Sequence, residues 1–536
     1  MALAALGLVL PFEPLRPVLV WFDLRFTLLE LAAAAAIVVV LASCWREARP
    51  GIGRKPLAFL AAFAAANLLS AAFAPNDTWL SAKFALRTVA AAAFAVAVAL
   101  APPRARRAAL TAFAISCAAV ALLAVGEGMG FAALDPLLAL FRERGFSAGD
   151  VPRASGASSG PNQAAAFLAA GLVAGVAQLT GRTRYAFAAL LGLGLLFTYS
   201  RGGLASAALG LLVLAWAWRE QRRAVLACAG VLALLTLGFT ARTRFRERLA
   251  AEVVERAYHA DYRPADAALR LSVGEARTVA IELTNAGPRA WRPSERATLH
   301  AFLYDWPARE PLAVWRHVLA TPVSAGGVVP VSLAIQAPAR PGAYVLVWDL
   351  FTLPSGFLSA SGVPPALVPV GVDAEPPRAV ALPERTWRRG RLELWRLALA
   401  MWRDHPLLGV GPDNFRRLHP AYGGWLGAGN FPMSAHNQLL ETAATTGTLG
   451  LLALLGTIAF SGRAALAARR GPYTGPASVV LALLAAFLVQ AQVDALLEFT
   501  GHYLLFAFVV GAAAALPDRT LGESVTPSAA GETPPS

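Results

Sequence analysis

The pair His436-Asn437 stands directly before a long apolar run, in "SAHNQLLETAATTGTLG" (434–450). Imidazole is the usual side chain for taking up a proton near neutral pH, and Asn437 or Glu441 is close enough in sequence to orient it. The structural alternative is an interfacial histidine satisfied by backbone groups. Gly447 and Gly450 follow, and glycines at that spacing let a second helix approach closely. Arginines form the other group: Arg153 ahead of "ASGASSGPNQAAAF", Arg201 in "TYSRGGLAS", and Arg391, with Arg388 and Arg389 in the turn before it. Arg201 is caught between two apolar runs with hardly any loop, where a charge is costly and calls for a partner. Guanidinium forks suit phosphate oxygens, although any single arginine here can instead snorkel to lipid phosphate. A histidine with several arginines on one side of a membrane fits an anionic headgroup held while a proton is removed.

These residues need a membrane scaffold. Of the 536 residues, 57% are hydrophobic and only 15% charged, against about 25% charged in an ordinary soluble protein. Apolar runs of roughly 20 residues recur, each long enough to cross a bilayer core of about 30 Å. The expected spans lie near 26–45, 56–73, 84–102, 108–131, 161–180, 184–200, 202–218, 223–241, 440–461, 477–497 and 502–517. A weaker run near 2–20, interrupted by Pro11 and Pro14, raises the expectation to about twelve. The net charge of +14 comes from short basic clusters between runs, without the basic stripe and interleaved aromatics of a nucleic-acid binder. Cys44, Cys117 and Cys228 each sit in or at the end of an apolar run and read as small core residues. No metal-ligand spacing such as HExxH appears, nor a glycine loop that would cradle a phosphate.

The clusters Arg46–Lys55, Arg104–Arg107, Arg182–Arg184, Arg219–Arg223 and Arg463–Arg470 fall on one parity of the connections, which makes that side cytoplasmic. The agreement requires counting the run near 2–20. His436, Arg153, Arg201 and Arg391 then face outward. Acidic candidates on that side are few, which disfavours a two-carboxylate glycosidase arrangement. The expected architecture is an all-α polytopic membrane protein of about 12 transmembrane helices with an inserted extracytoplasmic β-sandwich. Its parts are a membrane domain over 1–241, a helical segment over 242–265, the β insertion over 266–372, a helical segment over 373–439, membrane spans over 440–517 and a disordered cytoplasmic tail over 518–536.

The insertion is read from period-2 runs such as "TVAIELTN", "VPVSLAIQAP" and "GAYVLVWDLF", separated by turn chemistry in "NAGPRAW", "SAGG" and "ARPGAY". It resembles the immunoglobulin-like modules of cell-surface proteins. Trp291, Trp306, Trp315 and Trp348 either stack on sugar rings or form its core and rim.

The membrane part resembles the O-antigen ligase and O-antigen polymerase superfamily of bacterial membrane glycosyltransferases. The resemblance rests on His436-Asn437, nine residues, then Gly447-x-x-Gly450, and on "GRLELWRLALAMWRDHPLLGVGPDNF", "RASGASSGPNQAAAFLA" and "YSRGGLAS", in family order. The β insertion departs from the family, whose long external loop is mainly helical. The resemblance implies a multi-pass protein of the bacterial inner (plasma) membrane with its site facing the periplasm. It implies a glycan donor linked to undecaprenyl pyrophosphate, an acceptor that is lipid A core, a glycan or a protein, membrane lipids as surroundings, and neither metal nor cofactor. His436 would be the base; Arg391, with Arg153, Arg201, Arg388 and Arg389, would hold the pyrophosphate. A repeat-unit polymerase of the same superfamily remains an alternative, and a lipid-linked glycan transporter a more distant one.

Overall fold

The computed structural model describes residues 1–21, 24–44, 52–75, 77–142, 145–148, 151–243, 245–246, 258–305, 311–353, 356–361, 363–378, 391–423 and 433–517. The chain is mostly helical with a separate sheet-rich region. Among the described residues, five helices are long and apolar enough to cross a membrane: Arg54–Ala72, Thr78–Leu100, Pro103–Gly128, Arg219–Phe239 and Gln438–Ala468. Leu28–Cys44, Arg201–Ala217, Thr474–Gln490 and Thr500–Ala514 are shorter apolar helices. Pro161–Gln178 is buried along nearly its whole length. Starts follow local chemistry: Pro103 and Pro161 open their helices at the first turn, and the Asp77 carboxylate caps the next helix by accepting from Leu80 N–H. The helices meet through Ala, Leu, Val and Phe side chains, with Cys44, Cys117 and Cys228 among them, in one large apolar cluster.

Two expectations are corrected here. The run near 2–20 forms only the eight-residue helix Ala2–Val9. At 1.5 Å per residue it covers about 12 Å and cannot cross a core of about 30 Å alone. The span expected over 477–497 ends as a helix at Gln490. The remainder is a connection outside any α-helix, which carries part of the site through Asp494.

Two short hairpins lie among the helices: β1 (Leu19–Trp21) with β2 (Leu24–Phe26), and β3 (Phe146–Ala148) with β4 (Val151–Arg153). The sheet-rich region follows with β5 (Ala260–Pro264), β6 (Leu269–Leu271), β7 (Ala276–Asn285), β8 (Thr298–Asp305), β9 (Pro311–Val318), β10 (Val328–Gln336), β11 (Gly342–Thr352), β12 (Gly356–Phe357) and β13 (Ala366–Val372). One sheet has the order β10-β7-β5; the other runs β6-β13-β11-β8-β9, with β12 on β11. Among the described strands only β6 and β13 pair in parallel. Alternation explains the core: Val279, Ile281 and Leu283 of β7 and Val331 and Ile335 of β10 point inward. They join Leu299, Leu346, Val370, Trp291 and Trp348 in a single cluster. Strand pairing starts at Ala260, inside the stretch read as helical over 242–265. Trp291 and Trp348 are core, Trp315 is half-buried against it, and Trp306 lies outside the described residues.

Candidate active site

Asn437 is the N-cap of Gln438–Ala468: its side-chain oxygen accepts from the N–H groups of Leu439 and Leu440. The Glu441 carboxylate reaches back to Ala435 N–H at 2.7 Å. His436 lies between these bonds at φ 49°, in the left-handed region that few side chains adopt. Asn437 and Glu441 therefore fix the backbone around His436, and neither orients its ring as expected. The imidazole's partner is Asp494, whose Oδ1 lies 3.2 Å from His436 Nδ1. Asp494 is 2% exposed and His436 30% exposed. No bond to His436 Nε2 occurs among the described residues, so this nitrogen is left for a reacting group.

Asp494 Oδ2 accepts from the Gln163 amide at 2.7 Å, and Oδ1 also accepts from Ala495 N–H at 3.0 Å. Burial alone would raise its pKa. The hydrogen bond and charge of His436, with the Ala495 N–H, outweigh that and leave it below the usual carboxylate range. Gln163 follows Asn162, whose side-chain oxygen accepts from the Arg153 guanidinium at 2.9 Å and from the Ser200 hydroxyl at 3.2 Å. Arg153 Nε donates to Thr198 C=O at 3.0 Å. The "RASG", "GPNQ" and "YSR" segments are thus bonded to one another and, through Gln163, to the His436–Asp494 pair.

Arg201 opens its helix exposed, with no ion pair or hydrogen bond among the described residues. The next residue, Gly202, packs so close to Val493 that an added Cβ would lie 2.4 Å from it, which puts Arg201 beside the Asp494 connection. Arg391 begins Arg391–Asp404, half-buried. This helix packs Leu394, Leu397, Ala398 and Met401 into a small core with Ala435, the residue before His436. Arg388 and Arg389 lie outside the described residues.

Gly447 is not a helix-contact glycine. It breaks Gln438–Ala468 at φ 66°, ψ −165°, and a Cβ there would lie 2.2 Å from Leu407 C=O. The break leaves backbone groups without partners inside the helix, and the "HPLLGVG" segment supplies them. Val410 N–H and Gly411 N–H donate to Ala444 and Thr445 C=O, and Thr448 N–H donates to Pro406 C=O. At Gly450 the three atoms nearest an added Cβ all belong to the Thr446 side chain of its own helix.

Sequence reasoning missed Asp494, Gln163 and Asn162, and a set of buried acids. Glu441 and Glu498 share a side-chain hydrogen bond, and burial, then the Glu441 charge, raises Glu498 well above the usual range. Asp413, enclosed with Arg416 on one oxygen, is raised to about 6 by burial, with Arg416 opposing. Several buried acids thus lie near one another among the described residues. The signal available was a carboxylate inside an apolar run, "VQAQVDALLEFT". Among the described residues no group of three or more His, Cys, Asp or Glu is arranged to hold a metal ion.

Residues 313–455 match the family model described as O-Antigen ligase. The matched range takes in the Arg391–Asp404 helix, the "HPLLGVG" segment, His436-Asn437 and both glycines. No curated protein matches the chain. Two crystal structures of a beta-glucosidase from Listeria innocua, one in complex with glucose, align at 15% and 16% identity with a TM-score of 0.15. They cover 21% of this chain, which in turn spans 16% of theirs, a likeness too slight to bear on fold or function. The family match covers the segment that carries His436 and Gly447, and there it supports the O-antigen ligase superfamily.

Proposed function

We propose that this chain is an O-antigen ligase-like glycosyltransferase that moves a glycan from undecaprenyl pyrophosphate to an acceptor hydroxyl at the outer face of the inner membrane. His436 Nε2 takes the acceptor's proton. The acceptor oxygen bonds to the anomeric carbon as the bond from that carbon to the pyrophosphate oxygen breaks, with inversion and without a metal. Asp494 holds Nδ1–H and stabilises the imidazolium that forms. Arg153 and Arg201, with Arg391 and its neighbours Arg388 and Arg389, hold the pyrophosphate and its growing charge. The leaving group supplies the driving force. In this reading the membrane part crosses about twelve times, with Ala2–Val9 and the chain after it completing the first passage, and the sheet-rich region is an immunoglobulin-like sandwich facing the acceptor. The carrying observation is the His436–Asp494 contact, tied through Gln163 and Asn162 to Arg153. A repeat-unit polymerase would use the same chemistry; loss of chain length in a deletion strain, rather than loss of attachment, would identify it.

The test is glycan transfer by purified protein in nanodiscs, from an undecaprenyl-pyrophosphate donor and with chelator present. His436→Ala should abolish transfer. Asp494→Asn should lower kcat about 10²–10⁴-fold with little change in donor KM, whereas Arg153→Ala should chiefly raise donor KM. Wild-type turnover by a folded Asp494→Asn protein would sink the pairing, and wild-type turnover by His436→Ala would sink the base.

A further inference from the structure

A second feature adjoins the pair: a cleft of about 210 Å³ whose walls include Glu13, Thr27, Ser158, Ser159, Gln163 and Glu498. We propose that this cleft is the subsite for one neutral sugar ring of the acceptor, held beside the His436–Asp494 pair. The inference rests on the glycan-transfer reading and says where the hydroxyl-bearing substrate sits.

Position is the first support. Gln163 lines the cleft and donates to Asp494 Oδ2 at 2.7 Å. His502 lines it too, and its Nε2 bonds Gln163 C=O at 3.1 Å. A ligand in the cleft therefore touches Gln163, one hydrogen bond from the acid partner of the base. Chemistry is the second. Hydroxyls, an amide and carboxyl groups can both give and take hydrogen bonds with sugar hydroxyls, and Phe499 adds an apolar face. Glu498 lies well above its usual range, chiefly through burial; a neutral carboxyl can donate as well as accept. Arg87, the arginine on the cleft, is held by Glu30 at 2.8 Å. The cleft thus lacks the exposed guanidinium that Arg201 offers a phosphate.

The third support is unmet hydrogen bonding. Ser158 and His502 are each 4% exposed. Ser158 Oγ and His502 Nδ1 find no partner among the described residues. With His502 Nε2–H donating to a carbonyl, Nδ1 carries a lone pair and accepts. Buried groups of this kind are normally satisfied, and a sugar's hydroxyls would satisfy both. The volume is below the roughly 300–1,000 Å³ of drug-sized pockets, which suits one ring and not a chain.

The test uses the full chain in phosphatidylcholine nanodiscs with glucose, galactose, mannose, N-acetylglucosamine and, separately, inorganic pyrophosphate. Sugar binding is read by saturation-transfer NMR and pyrophosphate binding by phosphorus line width. At least one sugar should bind wild type. Ser158→Phe, which fills the cleft, and Glu13→Gln, which keeps its shape, should each weaken that sugar at least tenfold and leave pyrophosphate unchanged. Should the thermal midpoint of Ser158→Phe fall, Glu13→Gln decides. Arg153→Ala should weaken pyrophosphate alone. No binding by any of the four sugars, or binding untouched by Glu13→Gln, overturns the cleft assignment even where pyrophosphate behaves as expected. Sugar binding that responds as described, in a protein that does not bind pyrophosphate, upholds the cleft and overturns the transfer reading.

Discussion

Asp413 is enclosed by protein, and its single ion pair with Arg416 does not replace the water it has lost; its Oδ1 has no hydrogen bond among the described residues. Its carboxyl is raised from 3.8 to about 6 by burial, with Arg416 opposing. Between about pH 4 and pH 6 the folded chain keeps a proton that the unfolded chain has released. Stability contributed here is therefore full below about pH 4, falls as pH rises to about 6, and is flat above that. Two pKa units correspond to roughly 3 kcal/mol. Asp413 sits at φ 66°, a conformation asparagine also accepts. Asp413→Asn should thus flatten the fall in thermal midpoint over pH 4–6, and an unchanged slope would remove Asp413 as its source. His436, Arg153 and Arg201 were legible because each is a polar residue set against an apolar run. Asp494 was not, because it lies 58 residues beyond His436 in a stretch that reads as the end of a span. Periodicity reports which residues share a helix, not which connection folds back beside another helix's start. Glu441 illustrates the converse: its closeness in sequence suggested a side-chain partner for His436, and it serves the backbone of Ala435 instead.

At the scale of elements, the two glycines of the G-x-x-G pattern separate. Both read as small residues for helix approach. At Gly447 the requirement lies in the backbone, at φ 66° with Leu407 C=O 2.2 Å from a would-be Cβ. At Gly450 an added Cβ would meet Thr446 Oγ1 and, at 2.5 Å, Thr446 Cβ, so the Thr446–Thr442 C=O bond is lost and the turn holding Thr446 must also shift. Gly447→Ala should therefore cost at least about 1–3 kcal/mol in backbone strain and release the "HPLLGVG" segment from the break. Gly450→Ala should lose one hydrogen bond, roughly 1 kcal/mol, and shift the Thr446 turn, but it carries no left-handed backbone strain and meets no other segment's carbonyl among its nearest atoms. Thermal unfolding of the two proteins side by side measures this, and a Gly450→Ala protein the less stable of the two would refute the reading of the break. The motif spacing was visible in the sequence. The break was not, because it depends on a segment some 40 residues upstream that satisfies the freed groups.

At the scale of the whole molecule, the sheet-rich region has its own means of folding. Its two sheets close on one apolar cluster, with Trp291 at 0% and Trp348 at 1% exposure, and none of that cluster's side chains comes from the membrane helices. Alternation in β7 and β10, the apolar run of β11 and the turns between them made the region legible. Its first strand was missed because "ADYRP" is short and polar and follows a charged stretch. That strand is held by five paired positions on β7, from Ala260↔Asn285 to Pro264↔Ile281, and a region cut at 266 would lose it. Residues 258–378 expressed alone should give a soluble domain with one cooperative unfolding transition and a blue-shifted tryptophan emission that moves to the red on unfolding. Starting at 266 should lower the midpoint by several degrees, because Ala260 is buried in the shared cluster and Tyr262 OH accepts from Leu350 N–H at 2.9 Å, a bond joining the two sheets. If both versions unfold at the same temperature, β5 is not part of the folding unit. If neither folds, the core needs the membrane part, and the insertion cannot be treated as a module of its own.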